Sequence, residues 1–145
     1  TRRGLLTKQN APISALYQRD FSATPDLAQT LVVTCALLRR AFRFTGLASL
    51  HSKETDRIAA LTQELQQFGV HLTSPALGTL QYVPEASSQS LLDGGGVPQI
   101  HTYDDHRMAL AFAPAALVTG AVEIHHPEVI SKSYPHYWDD LRRLG

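Results

Sequence analysis

The feature that most constrains this 145-residue chain is the alternation of short strand-like segments with stretches of helical periodicity. One helical stretch shows a single apolar stripe, formed by Ile58, Leu61, Leu65 and Phe68. Alternation of this kind favours an α/β fold in which helical crossovers join parallel strands. At this length we expect one domain, with a core that needs no disulfide bond.

The predicted elements run from the first sixth of the chain to its end. Strands are predicted over 16–21, 42–47, 70–73, 80–83, near 100 and over 121–125, and helices over 25–40, 53–68, 105–118 and 134–144. We expect Ser52 to cap the second helix and Gly69 to end it. Segments 70–73 and 80–83 are expected to pair around the turn between them. The Ser- and Gly-rich stretch 86–99 is expected to form a surface loop.

The composition excludes several classes of protein. Thirteen basic and thirteen acidic residues cancel, which gives no reason to expect a nucleic-acid partner. No apolar run reaches the roughly 18 residues of a membrane span, and no signal peptide is expected. The lone Cys35 cannot form an internal disulfide, which agrees with a cytoplasmic location. Because the chain begins with Thr1 rather than Met, we expect it to be processed or excised from a longer protein.

Metal and cofactor motifs are not expected. Adjacent strand residues point to opposite faces, so His125 and His126 are not expected to share a metal ion. The three glycines at 94–96 lack the strand–glycine–helix context of a phosphate loop. We therefore predict no metal and no cofactor.

Basic residues stand at or just before the start of three predicted helices. Lys53 and Arg57 are four residues apart in the first turn of the second helix, Arg107 is in the first turn of the third, and Lys132 precedes the last. A cation at a helix N-terminus is mildly unfavourable alone, but a bound anion reverses the sign. Helix starts in α/β units lie on one edge of the sheet. These segments therefore predict one pocket for a multiply charged anion, such as a phosphate plus a carboxylate.

Simpler explanations exist for each of these residues. Lys53 and Arg57 could pair with Glu54 and Asp56 on a solvated surface. His106 is more often a structural hydrogen-bonding residue than a catalytic one.

The remaining candidates have similar alternatives. Arg107 could pair with Asp104 or Asp105, and Lys132 could be solvated like most lysines. Asp26 follows a proline and, by position alone, is more simply explained as a helix N-cap.

Four segments go beyond these physical patterns. Residues 52–57 (SKETDR), 102–109 (TYDDHRMA) and 131–135 (SKSYP) resemble, in this order, signature segments of the 5-enolpyruvylshikimate-3-phosphate synthase family. Residues 24–28 (TPDLA) resemble its Pro-Asp segment. The resemblance implies βαβαββ units of the enolpyruvyl transferase type, an inside-out α/β barrel, with about one complete unit plus most of a second. Residues 1–145 would then form the C-terminal part of that enzyme's second domain, as a single-domain fragment.

The resemblance also implies a role for each candidate residue. Asp26 would contact shikimate 3-phosphate and take the proton from the acceptor hydroxyl. Lys53 would also contact shikimate 3-phosphate and would assist proton transfer. Glu54 would exchange a proton with the methylene carbon of phosphoenolpyruvate. The cations implied to hold phosphoenolpyruvate are Arg57, Arg107 and Lys132.

The implied reaction moves the enolpyruvyl group of phosphoenolpyruvate to the 5-hydroxyl of shikimate 3-phosphate, releases phosphate and serves aromatic amino acid biosynthesis. The partners would be these two substrates and an N-terminal domain without counterpart here, so the isolated chain is expected to be inactive. Ser49 and His51 depart from the Asn and Arg that many members carry, which leaves details of acceptor binding open. Two alternatives remain, namely the related transferase that acts on a UDP-amino sugar, and a non-catalytic anion-binding module.

Overall fold

A computed structural model describes residues 16–85 and 95–144 of the chain. The strands are β1 (Tyr17–Asp20), β2 (Phe42–Thr45), β3 (Leu80–Tyr82), β4 (Gln99–Ile100) and β5 (Glu123–Ile124). The α-helices are α1 (Ala28–Leu37), α2 (Arg57–Leu65), α3 (His106–Phe112), α4 (Ala116–Thr119) and α5 (Tyr137–Arg143). Short 3₁₀ segments lie at Pro25–Leu27, Ala48–Ser52, Gln66–Phe68, Ala113–Ala115 and Pro127–Ile130.

The strands form two small sheets. In the first, β1 pairs in parallel with β2 across the α1 crossover, and β2 pairs antiparallel with β3. In the second, β4 pairs in parallel with β5, and α3 and α4 lie between them in the chain. The predicted α/β fold with parallel pairs is therefore confirmed. The predicted strand 70–73 is reduced to one antiparallel bridge between Thr73 and Gln81, so the first unit reads βαβαββ with a minimal third strand.

The core lies where α1, α2 and α3 pack together and against the first sheet. Helix α1 packs mainly on α3, and most of its residues are buried. The aromatic part of the core is formed by Phe21, Phe42, Phe44, Phe68 and Phe112, all fully buried. Burial of each such ring contributes about 1.5–3 kcal/mol, so this cluster fixes the relative positions of the helix starts.

Several predicted elements are shorter in the structure. Pro114 lacks a backbone N–H, and the predicted helix 105–118 is accordingly divided into α3, a 3₁₀ turn and α4. The predicted helix 25–40 begins as a 3₁₀ turn at Pro25 and ends before Arg39, whose φ of 51° is left-handed. The last helix begins only at Tyr137. Most of the predicted loop, 86–94, lies outside the described residues. None of the described helices is long and apolar enough to cross a bilayer.

Candidate functional site

Three segments that are distant in sequence meet at Asp26. Its carboxylate lies 3.0 Å from Arg57 Nη1, 3.4 Å from Lys53 Nζ and 3.6 Å from Arg107 Nη2. Arg107 Nη1 also donates a hydrogen bond of 2.9 Å to the backbone carbonyl of Asp26. The fold thus places the start of α1 beside the starts of α2 and α3, with one carboxylate among three cations.

The arrangement corrects two expectations about these residues. Asp26 does not act as a helix N-cap, because Thr24 occupies that position and the Asp26 carboxylate faces the cations. The guanidinium of Arg107 does not pair with Asp104 or Asp105 but reaches Asp26, 81 residues away in sequence.

Arg57 is the buried centre of the cluster. Its side chain is only 2% exposed, and that of Asp105 is fully buried. Arg57 Nε donates to Asp105 Oδ2 at 2.6 Å and Nη2 to Oδ1 at 3.2 Å, a two-point pairing that fixes the plane of the guanidinium. Nη2 also donates to Glu54 Oε2 at 2.7 Å. The expected surface pair of Arg57 with Glu54 is present, but Arg57 itself is buried.

The start of α2 differs from the prediction. Asp56, not Ser52, caps the helix, because its Oδ1 accepts from the backbone N–H groups of Ile58 at 3.1 Å and Ala59 at 3.0 Å. Ser52 lies in the preceding 3₁₀ turn.

Lys53 is therefore outside the helix, in extended backbone, and does not share a helical face with Arg57. It pairs with Asp26 rather than with the neighbouring carboxylates Glu54 or Asp56. His51 Nδ1 lies 2.9 Å from Asp56 Oδ2, so His51 contacts the carboxylate that caps α2.

Lys132 lies in a cavity of about 620 Å³ next to the cluster. Glu54 lines this cavity and contacts Arg57, so it forms the wall shared by the cavity and the cluster. The other charged or titratable lining residues are Asp104, His106 and Glu128. Lys132 thus shares this cavity with three carboxylates.

The local charges set the ionisation of the two candidate acid–base groups. Partial burial acts to raise the pKa of the Asp26 carboxyl, but the charges of Arg107, Lys53 and Arg57 outweigh it, so this pKa lies below its ordinary value. The pKa of Glu54 is lowered by its own backbone N–H and, next among the favourable effects, by the charge of Arg57. Both carboxyls are therefore ionised at neutral pH when no ligand is bound.

Comparison with known proteins identifies the family. A profile of the family described as EPSP synthase (3-phosphoshikimate 1-carboxyvinyltransferase) matches residues 7–141. The chain belongs to the EPSP synthase family. It is 49% identical over its whole length to a 3-phosphoshikimate 1-carboxyvinyltransferase of Bacteroides fragilis, of which it covers 34%. It is 38% identical over 88% of its length to one of Cellvibrio japonicus, of which it covers 28%.

A solved structure supports the same fold. The chain aligns with EPSP synthase from Acinetobacter baumannii with a TM-score of 0.66 and 25% identity, covering 83% of this chain and 27% of that one. The mixed α/β arrangement is that of an enolpyruvyl transferase. The chain thus spans about one third of the length of the curated EPSP synthase relatives it matches.

Two further carboxylates of this EPSP synthase segment are buried on or beside α2, and neither is predicted as a site residue from the sequence. Asp105 caps α3 by accepting from Arg107 N–H at 2.9 Å, and its burial beside Arg57 was not expected. Its place immediately before α3 was the available signal. Glu64 is buried two turns after Arg57 on α2, inside a polar stretch where no sequence signal marks it.

The two adjacent histidines have separate partners. His125 Nε2 lies 3.6 Å from Glu123, and His126 Nδ1 lies 3.2 Å from Glu128. Within residues 16–85 and 95–144, no group of three or more His, Cys, Asp or Glu side chains is arranged to hold a metal ion.

Proposed function

We propose that the protein carrying this chain transfers the carboxyvinyl group of phosphoenolpyruvate to the 5-hydroxyl of shikimate 3-phosphate and releases phosphate. The observation that carries the proposal is the meeting of Lys53, Arg57 and Arg107 around Asp26, beside a cavity that holds Lys132. The family's description as a 3-phosphoshikimate 1-carboxyvinyltransferase supports this acceptor over a UDP-amino sugar.

Phosphoenolpyruvate would bind through its two anionic groups. Arg57 and Arg107 suit a planar carboxylate or a phosphate held by two bonds, and Lys132 supplies a point charge from the cavity side. Binding would displace Glu54 and Asp26 from these cations, whereas the buried pair of Arg57 with Asp105 would remain and hold the guanidinium in place.

Asp26 would act as the base for the acceptor hydroxyl. Its carboxylate is 42% exposed and ionised, so a hydroxyl can reach it. Three neighbouring cations make it a weak base in the free chain. When substrate anions take up the charges of Lys53 and Arg107, the pKa of Asp26 rises and the carboxylate becomes a stronger base.

Glu54 would exchange the proton at the methylene carbon. As the acceptor oxygen bonds to C2 of phosphoenolpyruvate, C3 gains a proton. C3 loses a proton again when the C2–O bond to phosphate breaks. Glu54 is ionised in the free chain, and a trianion bound at Arg57 would raise its pKa toward that of a proton donor. Lys53 would assist this proton transfer, because its charge is among those that lower the pKa of Glu54.

The isolated 145-residue chain would not turn over. Because it spans 34% of its curated relative, the remaining length of such a protein would supply the rest of the substrate contacts. We propose that residues 1–145 are the C-terminal part of the second domain. A cytoplasmic location is also proposed and agrees with the free, buried Cys35.

Steady-state phosphate release by the whole protein tests the proposal. With both substrates present, Asp26→Asn should lower kcat by about 10²–10⁴, because it removes the base. Asp139→Asn is the matched control, since it changes an exposed carboxylate that pairs only with Arg142 among the described residues. Release of phosphate with a UDP-amino sugar but not with shikimate 3-phosphate would overturn the proposal. An Asp26→Asn enzyme as active as the control would also overturn it.

A further inference from the structure

Glu64 is a buried carboxylate outside the proposed substrate site. The residue is 1% exposed, and its carboxylate oxygens accept from uncharged donors. The Tyr103 hydroxyl donates to Oε1 at 2.7 Å, and Gln67 Nε2 and the His101 backbone N–H donate to Oε2 at 3.0 and 3.2 Å. Burying a carboxylate is costly unless its oxygens are satisfied, so these three bonds are strongly favoured over any looser arrangement.

The segment held by Glu64 has unusual backbone. Tyr103 and Asp104 both have φ of 54°, in the left-handed region that side chains other than glycine rarely adopt. Two such residues in succession persist only where the surroundings hold them. The next residue is Asp105, the fully buried partner of Arg57. The left-handed turn therefore places Asp105 beside Arg57.

Helix α2 contacts this segment at two points on one face. Arg57 and Glu64 are seven residues apart, which is about two helical turns. Arg57 donates to Asp105, whereas Glu64 accepts from Tyr103 and His101. Between these points, Thr102 Oγ1 donates to the backbone carbonyl of His125 at 2.9 Å. The segment before α3 is thus fixed on both sides of the strained turn.

The Tyr103 contact holds across the physiological pH range. Burial, followed by the hydrogen bond to Glu64 and the charge of that carboxylate, raises the pKa of Tyr103 to about 12. The hydroxyl accordingly remains a donor.

We propose that Glu64 is a positioning residue for the anion site. Through Tyr103 and His101 it holds the left-handed turn that places Asp105 against Arg57, and through the cap of α3 it sets Arg107 beside Asp26. This inference rests on the proposed function, in which Arg57 and Arg107 hold phosphoenolpyruvate. Glu64 itself touches no substrate, so its effect falls on phosphoenolpyruvate binding and little on the acceptor.

The test is a kinetic double-mutant cycle on the whole protein, with Tyr103→Phe, Glu64→Gln and the double variant. Tyr103→Phe removes one hydroxyl and should raise KM for phosphoenolpyruvate about ten-fold, with KM for shikimate 3-phosphate changed less than about two-fold. The double variant should raise KM for phosphoenolpyruvate by less than the product of the two single-variant fold-changes, because the two residues act through one contact. Gln63→Ala, at the exposed neighbour of Glu64, is the control and should leave both KM values unchanged.

A purely structural role gives a different pattern. It would lower Tm and the active fraction, and hence kcat, while both KM values stay as in the wild type. That result, or equal rises in both KM values, would overturn the inference. If Glu64→Gln does not fold, Tyr103→Phe alone decides by the same criterion. A wild-type protein without turnover on shikimate 3-phosphate would overturn the proposed function instead, which is a separate outcome seen before any variant is compared.

Discussion

The buried pair of Arg57 and Asp105 should be the most sensitive electrostatic contact in the chain. Asp105→Asn keeps the size of the side chain and an oxygen that can cap α3, but it removes the charge that faces a guanidinium only 2% exposed. Breaking a buried ion pair by removing one partner costs about 3–5 kcal/mol. Glu54 and Asp26 still contact Arg57 at 2.7 and 3.0 Å, so the lower end, about 3 kcal/mol, applies.

Urea unfolding followed by the fluorescence of the sole tryptophan, Trp138, measures this loss. With a slope of about 1.5 kcal/mol per molar urea, a loss of about 3 kcal/mol moves the midpoint down by about 2 M. Asp105→Ala also loses the cap and should be about 1 kcal/mol less stable again. The control is Asp104→Asn, an exposed neighbour in left-handed backbone that Asn tolerates, which should leave the midpoint within about 0.3 M.

A small effect would refute this reasoning. If Asp105→Asn unfolds within about 0.3 M urea of the wild type, then Arg57 is either solvated or held by its other carboxylates, and the pair does not fix the guanidinium.

Three further predictions concern stability. Gly46→Ala should destabilise the chain by more than about 2 kcal/mol in urea unfolding, because φ is +73° and the added Cβ would lie 2.3 Å from Ser22 N. Gly120 also has a positive φ, but its Cβ would meet open space, so the control Gly120→Ala should cost only about 1 kcal/mol. Asp56→Ala should cost about 1 kcal/mol, whereas Asp56→Asn, which still caps α2, should cost only a few tenths in the same assay. The pKa values of Asp26 and Asp56 in the folded chain lie below the ordinary 3.8. The stability that these two carboxylates contribute is therefore present above about pH 4 and is lost as pH falls through the folded pKa values. Equal urea midpoints at pH 7 and pH 3 would contradict this.

The fold could be predicted as far as local periodicity reaches. The apolar stripe of α2 and the aromatic strand β2 were predicted, and the parallel pairing of β1 with β2 follows from the helix between them. Element ends were predicted less well, because single residues decide them. Pro114 divides a helix that the apolar pattern extends, and Asp56 takes the cap that Ser52 also could have taken.

The sequence predicts which cations belong to the site and that their segments meet, but not which side chains pair there. Helix-start positions and the family resemblance selected Lys53, Arg57 and Arg107, which the structure places within reach of Asp26. Their pairing could not be predicted, because local rules favour neighbours in sequence. The position of Asp26 after a proline predicted a helix N-cap. Its actual contacts arise from packing of α1 against α3, a long-range property that no local pattern encodes.

The central claim is that cations from separate segments form one anion site organised by the buried pair of Arg57 and Asp105. A crystal structure of the whole protein with phosphoenolpyruvate and shikimate 3-phosphate tests it most directly. We predict carboxylate or phosphate oxygens of phosphoenolpyruvate within hydrogen-bonding distance of Arg57, Arg107 and Lys132, with the Arg57–Asp105 contact unchanged. Phosphoenolpyruvate bound away from these three side chains, or a broken Arg57–Asp105 pair, would contradict the account.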